Sequence, residues 1–327
     1  MISNENRRVE QIEDSTTLKI SKFRYLNNFV VLVTRILDFF DMTKPRVVLL
    51  MLLCALVGML LALDPLHLSV PSFRLLLSAV CGLVGIALVA ASAAVVNHVV
   101  DARIDQQMAR TRNRPVPTGR VRSRDGIIFA TVLGVTGLVV LFVLVNPLAA
   151  WLNLASWAGY GLFYTFFLKH RTSQNIVIGG LFGAAPPLLG WVCITSTIEP
   201  QALILVAIIF LWTPPHFWAL AIDRAKDYET VGVPMLPLTH GDRYTRLSIL
   251  VYTVLLVGIT LVPLFIGMSG LLYLVMALAL GLIYLGFSIC MLIDDNPKLP
   301  IRSFKFSIVY LAVLFVGFVL DHYIVIA

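Results

Sequence analysis

Charge is what this chain has least of. Only 13% of its 327 residues are Asp, Glu, Lys or Arg, roughly half the ~25% of a soluble globular chain, whereas 59% are hydrophobic. That balance argues against two water-soluble domains, which the length alone would allow, and for one membrane bundle. Cysteine is scarce too. Cys54, Cys81, Cys193 and Cys290 all lie inside apolar runs and none forms a CxxC pair. They offer neither a disulfide framework nor a zinc site, and read as small buried hydrophobes. The first 22 residues hold Glu5, Glu10, Glu13 and Asp14 but no apolar core of a cleavable leader. Acidic residues are outnumbered, giving a net charge of +7. The basic residues sit in short segments between apolar runs, so the expected partner is an anionic lipid surface or an anionic substrate, not nucleic acid.

What the chain has in plenty is apolar runs. Nine can be marked, at 47–63, 75–96, 126–145, 148–168, 175–193, 201–221, 247–266, 270–293 and 304–326. Each approaches the ~20 residues that span a ~30 Å hydrocarbon layer, and without water to satisfy their backbones such runs must be helices. The third and fourth are parted only by Asn146-Pro147, a turn signal. With these spans, 24 of the 25 Lys and Arg residues fall on one face and only Arg74 on the other. The positive-inside rule makes the charged face cytoplasmic. An odd number of crossings then puts the N-terminus inside and the C-terminus outside. Residues 23–40, apolar but broken by Arg24, Arg35 and Asp38, read as an interfacial amphipathic helix that feeds the first span through Lys44-Pro45-Arg46. The expected organisation is an N-terminal cytoplasmic segment over 1–44 and one nine-span, all-α membrane domain over 45–327.

The longer inner loops hold the chemistry. Loop 97–125 begins with Asn97, Asp101 and Asp105, an N-x3-D-x3-D spacing. If the preceding helix continues, each step of four advances about 400°, so the three oxygen-bearing side chains drift only ~40° apiece and share a face. Loop 222–246 begins with Asp223 and Asp227, again four apart. One such pair alone is usually just a solvated helix end. Two sets on one membrane face repel each other and are costly near the bilayer, and a cation offsets both costs. Oxygen ligands from few protein groups, completed by water and substrate phosphate, suit Mg²⁺. Two sets can flank a diphosphate through bridging ions and neutralise it as it leaves. Arg110, Arg112 and Arg114 follow closely, and Lys44, Arg46, Lys169 and Lys226 lie on the same face. They are candidates for the phosphate oxygens, although inner loops are rich in Lys and Arg in any case.

With Asn97–Asp105, the segment RTRNRPVPTGR at 110–120 and the second carboxylate pair, the chain resembles the UbiA-type intramembrane prenyltransferases. Three further segments, KHRTSQNIVIGGLFGAAPPLLGW at 169–191, TPPHFWALA at 213–221 and DRAKDYETVGVPMLPLTH at 223–240, make it similar to that family's heme-farnesylating branch. The resemblance covers about 42–245 well and the last three spans by pattern. It implies farnesyl diphosphate as donor, heme B as acceptor, and addition across a heme vinyl group with water completing the substituent. It also implies a bacterial inner-membrane location, and heme-modifying enzymes or terminal oxidase assembly factors as partners. Asn97, Asp101, Asp105, Asp223 and Asp227 become metal ligands. Related enzymes have a Tyr-x3-Lys in this region, whereas here Tyr164 is followed by Leu168 and only then Lys169.

His216, in the Pro-His-Phe segment, is then a candidate heme contact, weighed against an ordinary hydrogen-bonded interior histidine; His98 is a second candidate beside the metal motif. Phe163, Phe166, Phe217 and Trp218 could face a prenyl cation, but such rings more often simply pack. Two rivals remain. One is a relative acting on an aromatic acceptor such as 4-hydroxybenzoate. The other is a transporter, although transporters keep their charges near mid-membrane on broken helices.

Overall fold

The computed structural model describes residues 30–64, 72–109, 111–168, 171–230 and 232–324. Arg110, Lys169 and residues 23–29 of the expected interfacial helix therefore lie outside the described residues. Among those described, every regular element is helical. Large apolar side chains cover the exterior, including Phe142, Val143, Leu282 and Val316. Water-soluble monomers do not expose apolar surface on that scale, so the chain is a multi-pass membrane protein.

Among the described residues, seven helices are long and apolar enough to cross a bilayer: Phe73–Val100, Ser123–Leu144, Asn175–Thr195, Pro200–Asp223, Asp242–Phe265, Leu271–Ile293 and Leu299–Ile324. An eighth candidate is a pair, Val30–Met42 and Pro45–Leu61, bent by 49°. The nine expected runs differ from this set for local reasons. The first run is a 17-residue helix, Pro45–Leu61. The fourth divides into an α-helix, Pro147–Trp157, and a π-helix, Ala158–Leu168. The described part of the expected interfacial helix is Val30–Met42. At the bend, Lys44 adopts a left-handed conformation (φ 52°, ψ 58°) and Pro45 opens the next helix, where its fixed φ is pre-organised and its missing N–H costs nothing.

Small residues let these helices approach closely, the usual packing device where lipid removes the hydrophobic drive between helices. Helix Pro45–Leu61 crosses helix Pro186–Thr195 with backbones nearly touching. A Cβ at Gly58 would stand 2.0 Å from the Pro187 carbonyl oxygen, and one at Gly190 would stand 1.9 Å from that of Ala55. Buried polar bonds stitch the bundle. The Ser92 hydroxyl donates to Ala130 O at 2.7 Å and Trp157 Nε1 donates to Ser92 Oγ at 3.1 Å. At the other end of the bundle, Asp321 accepts from the backbone N–H groups of Gly270 and Tyr273, capping the helix that begins at Leu271.

Candidate active site

The first motif continues helically, as its spacing predicts. Asp101 N donates to Asn97 O at 3.0 Å and Asp105 N to Asp101 O at 2.9 Å, so the four-residue step is kept from helix Phe73–Val100 into the single turn Ala102–Asp105. Asn97, Asp101 and Asp105 are all buried. Burying carboxylates demands compensation, and the neighbouring loops supply it. Arg114 Nη1 donates to Asp105 Oδ2 at 2.6 Å. Lys44 Nζ, reaching in from the bend, donates to Asn97 Oδ1. His98 is buried with no hydrogen-bond partner at either ring nitrogen, and lies within electrostatic reach of Arg114, Lys44, Asp105 and Asp101. Of the remaining sequence-derived cations, Arg46, Arg112 and Lys226 are exposed.

Arg224, a residue that sequence reasoning passed over, straddles the second motif. It stands 3.2 Å from Asp223 and 3.8 Å from Asp227. The short helix Ala225–Thr230 that carries Asp227 also brings Tyr228 within electrostatic reach of Tyr164, which is itself within reach of Asp101. Among the described residues, no three His, Cys, Asp or Glu side chains are grouped closely enough to hold one metal ion. The donors present are hard oxygens in small sets, which fits a cation that keeps water and substrate oxygens in its shell and does not fit a zinc or iron site enclosed by protein.

Lys44 also lines the mouth of an apolar cavity of about 450 Å³, within the usual range for a small-molecule site. Val48, Met51, Ile86, Leu189 and Ile209 are among its walls, with Tyr160, Tyr164, Trp212 and His216 as its polar-edged aromatics. Tyr160 and Tyr164 stack at 5.3 Å between ring centroids on the π-helix, an element concentrated at functional sites. Phe217 lines the cavity. Trp218 instead packs edge-on against Tyr252 and belongs to the core.

His216 is both a cavity wall and a hydrogen-bonded interior histidine. Pro214 and Pro215 lie inside its helix, where they remove two backbone donors without ending the span. The ring is sandwiched between Trp212 at 4.2 Å and Phe304 at 4.5 Å. Its Nδ1 meets Ser307 Oγ at 2.6 Å. The single Ser307 hydroxyl hydrogen is directed to Phe304 O at 2.7 Å, so toward His216 the hydroxyl accepts. Nδ1 then carries the ring proton, and a neutral imidazole keeps a lone pair on Nε2. The sequence signal for this contact was thin, a lone serine within the last apolar run.

Comparison with known proteins gives the family. Residues 45–314 match the UbiA prenyltransferase family. The chain is 55% identical over 287 residues to a protoheme IX farnesyltransferase of Marinobacter nauticus, covering 88% of this chain and 93% of that one. It is 53% identical to one of Hahella chejuensis, covering 88% and 94%. Among solved structures, a digeranylgeranylglyceryl phosphate synthase superimposes with TM-score 0.74 at 17% identity, over 88% of this chain and 99% of that one. A UbiA homologue of Archaeoglobus fulgidus bound to DMAPP and Mg²⁺ superimposes with TM-score 0.60 at 16% identity, over 86% and 99%. At such identities these two structures bear on the fold alone.

Proposed function

The chain belongs to the UbiA prenyltransferase family, and from that premise we propose that it transfers a farnesyl group from farnesyl diphosphate to a vinyl group of heme B, water completing the hydroxyethylfarnesyl substituent of heme O. One observation carries the chemistry: Lys44 joins the acidic motif to the apolar cavity, through its bond to Asn97 and its place in the cavity wall. A diphosphate held at the motif thus has its hydrocarbon tail beside an apolar chamber. The relatives named for protoheme IX farnesylation favour heme over 4-hydroxybenzoate as the acceptor.

In this reading Asn97, Asp101 and Asp105, with Asp223 and Asp227 opposite, hold Mg²⁺. Bound there, Mg²⁺ supplies the positive charge that lowers the cost of releasing diphosphate. Lys44 and Arg114 bind the diphosphate oxygens, with Arg46, Arg110, Arg112, Lys169 and Lys226 as further cations around them. The allylic C–O bond breaks and its electron pair leaves with the diphosphate. Vinyl π electrons attack the farnesyl carbon, and the cation so formed next to the porphyrin takes up water and loses a proton. The cavity keeps water from the farnesyl cation until the vinyl group has reacted. Tyr160 and Tyr164 offer ring faces to positive charge. His216 lies at the acceptor end, with His98 beside the metal motif.

The same reading has nine crossings, the N-terminus and the site on the cytoplasmic face of a bacterial inner membrane, the C-terminus outside, and residues 1–44 as a cytoplasmic lead-in to the 45–327 domain. Enzymes that modify heme O further, or terminal oxidase assembly factors, would be its partners. The test is purified protein in detergent with labelled farnesyl diphosphate, Mg²⁺ and either heme B or 4-hydroxybenzoate. Mass spectrometry should find farnesylated heme only, and Asp101→Ala should abolish both product and pyrophosphate release. Prenylated hydroxybenzoate, or full turnover by Asp101→Ala, would reject the assignment.

A further inference from the structure

The bent helix pair reaches the site through Lys44, yet nothing in the chemistry above says what holds Lys44 there. Lys44 sits in a left-handed backbone conformation, which a non-glycine residue keeps only when its surroundings enforce it. Helix Val30–Met42 is mostly apolar on its outer side, and Met42, at its end, is fully buried. One carboxylate, Asp38, turns inward and is buried as well. It accepts from Arg120 Nε with both oxygens, at 3.0 and 3.2 Å. Arg120 Nη2 in turn donates to the carbonyl oxygen of Asn113 at 3.1 Å, the residue directly before Arg114. The loop behind is closed on itself. The Thr118 hydroxyl donates to Arg114 O at 2.8 Å, and Gly119 turns the chain with φ 76°. Phe39 meets Phe129 edge-on at 5.0 Å. Arg35 and Asp125 form a second link at 3.3 Å, but one far more open to solvent.

We propose that Asp38 is a positioning residue for the diphosphate site: through Arg120 it clamps the N-terminal helix onto the arginine loop, and so fixes Lys44 and Arg114 relative to each other. Asp38 precedes the stretch matched by the family model, which begins at residue 45, and it belongs neither to the acidic motif nor to the cavity lining. Its effect must pass through two routes, the bend at Thr43-Lys44 and the Asn113–Arg114 peptide. A cation pair converging on a diphosphate loses affinity when its spacing relaxes by a fraction of an ångström. His216 and Trp212, at the proposed acceptor end, are not residues of this clamp. The inference rests on the diphosphate reading of the motif but does not depend on the acceptor.

The test compares Asp38→Asn, Asp38→Glu and Arg35→Ala in the full-length protein in detergent. Titration calorimetry with inorganic pyrophosphate and Mg²⁺ reads the site without any acceptor. Steady-state kinetics then give KM for farnesyl diphosphate and for heme B. Asp38→Asn should weaken pyrophosphate binding and raise KM for farnesyl diphosphate, each by about tenfold, with KM for heme B unmoved. Asp38→Glu should recover most of the loss, because it restores the carboxylate to Arg120. Arg35→Ala should behave as wild type, since an exposed pair contributes little. Unchanged pyrophosphate binding in Asp38→Asn would overturn the proposal, as would equal losses in both Asp38 variants or a parallel rise in KM for heme B. If wild type bound Mg-pyrophosphate but left heme B unreacted, the proposed function would fail while the clamp remained measurable.

Discussion

Replacing Arg114 by Ala sets two duties of the acidic motif against each other. Arg114 neutralises Asp105 at 2.6 Å, with the carboxylate side chain 6% exposed and the guanidinium 30% exposed. Stripping one partner from a fully buried ion pair costs about 3–5 kcal/mol; solvent around the arginine reduces that here to about 2 kcal/mol. A Mg²⁺ ion that takes Asp105 as a ligand must first displace this arginine. In the variant nothing needs displacing, and by linkage the energy lost to the apo protein returns as metal affinity. Mg²⁺ should therefore bind more tightly to Arg114→Ala, by up to roughly thirtyfold at about 1.4 kcal/mol per decade. Turnover should move the opposite way. The diphosphate loses a charge-assisted hydrogen bond of about 1.5–3 kcal/mol, so kcat/KM for farnesyl diphosphate should fall by about tenfold to a hundredfold. Calorimetric titration with Mg²⁺ and a continuous pyrophosphate-release assay measure the two quantities on the same preparation. Mg²⁺ affinity that stayed constant or fell alongside turnover would refute the idea that Arg114 holds the place of the metal.

Ser307→Ala tests the acceptor end. It leaves the buried His216 Nδ1 proton without its partner, a penalty of about 1–3 kcal/mol. Heme B affinity, read from the Soret band, should weaken several-fold while KM for farnesyl diphosphate holds; an unaltered Soret titration would remove His216 from the acceptor surface. Gly190→Val tests the helix crossing. Its Cβ would collide with the Ala55 carbonyl oxygen at 1.9 Å, a backbone atom that cannot swing aside, so the variant should fail to accumulate in membranes. Wild-type accumulation would contradict the crossing.

The first motif was legible because its logic is local. An interval of four residues has the same meaning in any helix, and the backbone bonds from Asp101 to Asn97 and from Asp105 to Asp101 reproduce it. The membrane class was legible for the same kind of reason, since apolar length and the lopsided distribution of Lys and Arg need no partner to be read. The partners of the N-terminal helix were not. Arg35 and Asp38 broke an apolar pattern and marked an interface, but the residues they pair with lie 90 and 82 positions away, and no periodicity carries that information. Arg224 was hidden differently, standing beside Asp223 among many cations between apolar runs that the membrane rule already explains. The cavity, too, is a product of packing: its walls come from several helices whose faces are almost uniformly apolar, so no amphipathic stripe announces which side is hollow.

The π-helix joins the legible to the illegible. The family pattern that this chain resembles has Tyr and Lys four residues apart, an α-helical interval that brings both side chains to one face. Here Tyr164 and Lys169 are five apart, which in an α-helix would turn the second side chain a further 100° away. The segment that carries Tyr164 is not an α-helix: from Ala158 to Leu168 it is π-wound, and the Thr165 side-chain hydroxyl donates to Tyr160 O at 2.9 Å. Where backbone bonds run from i to i+5, residues five apart take the relation that residues four apart have in an α-helix. The departure of Tyr164-x4-Lys169 from the family spacing falls on the segment that is π-wound from Ala158 to Leu168, with Lys169 just beyond the described residues.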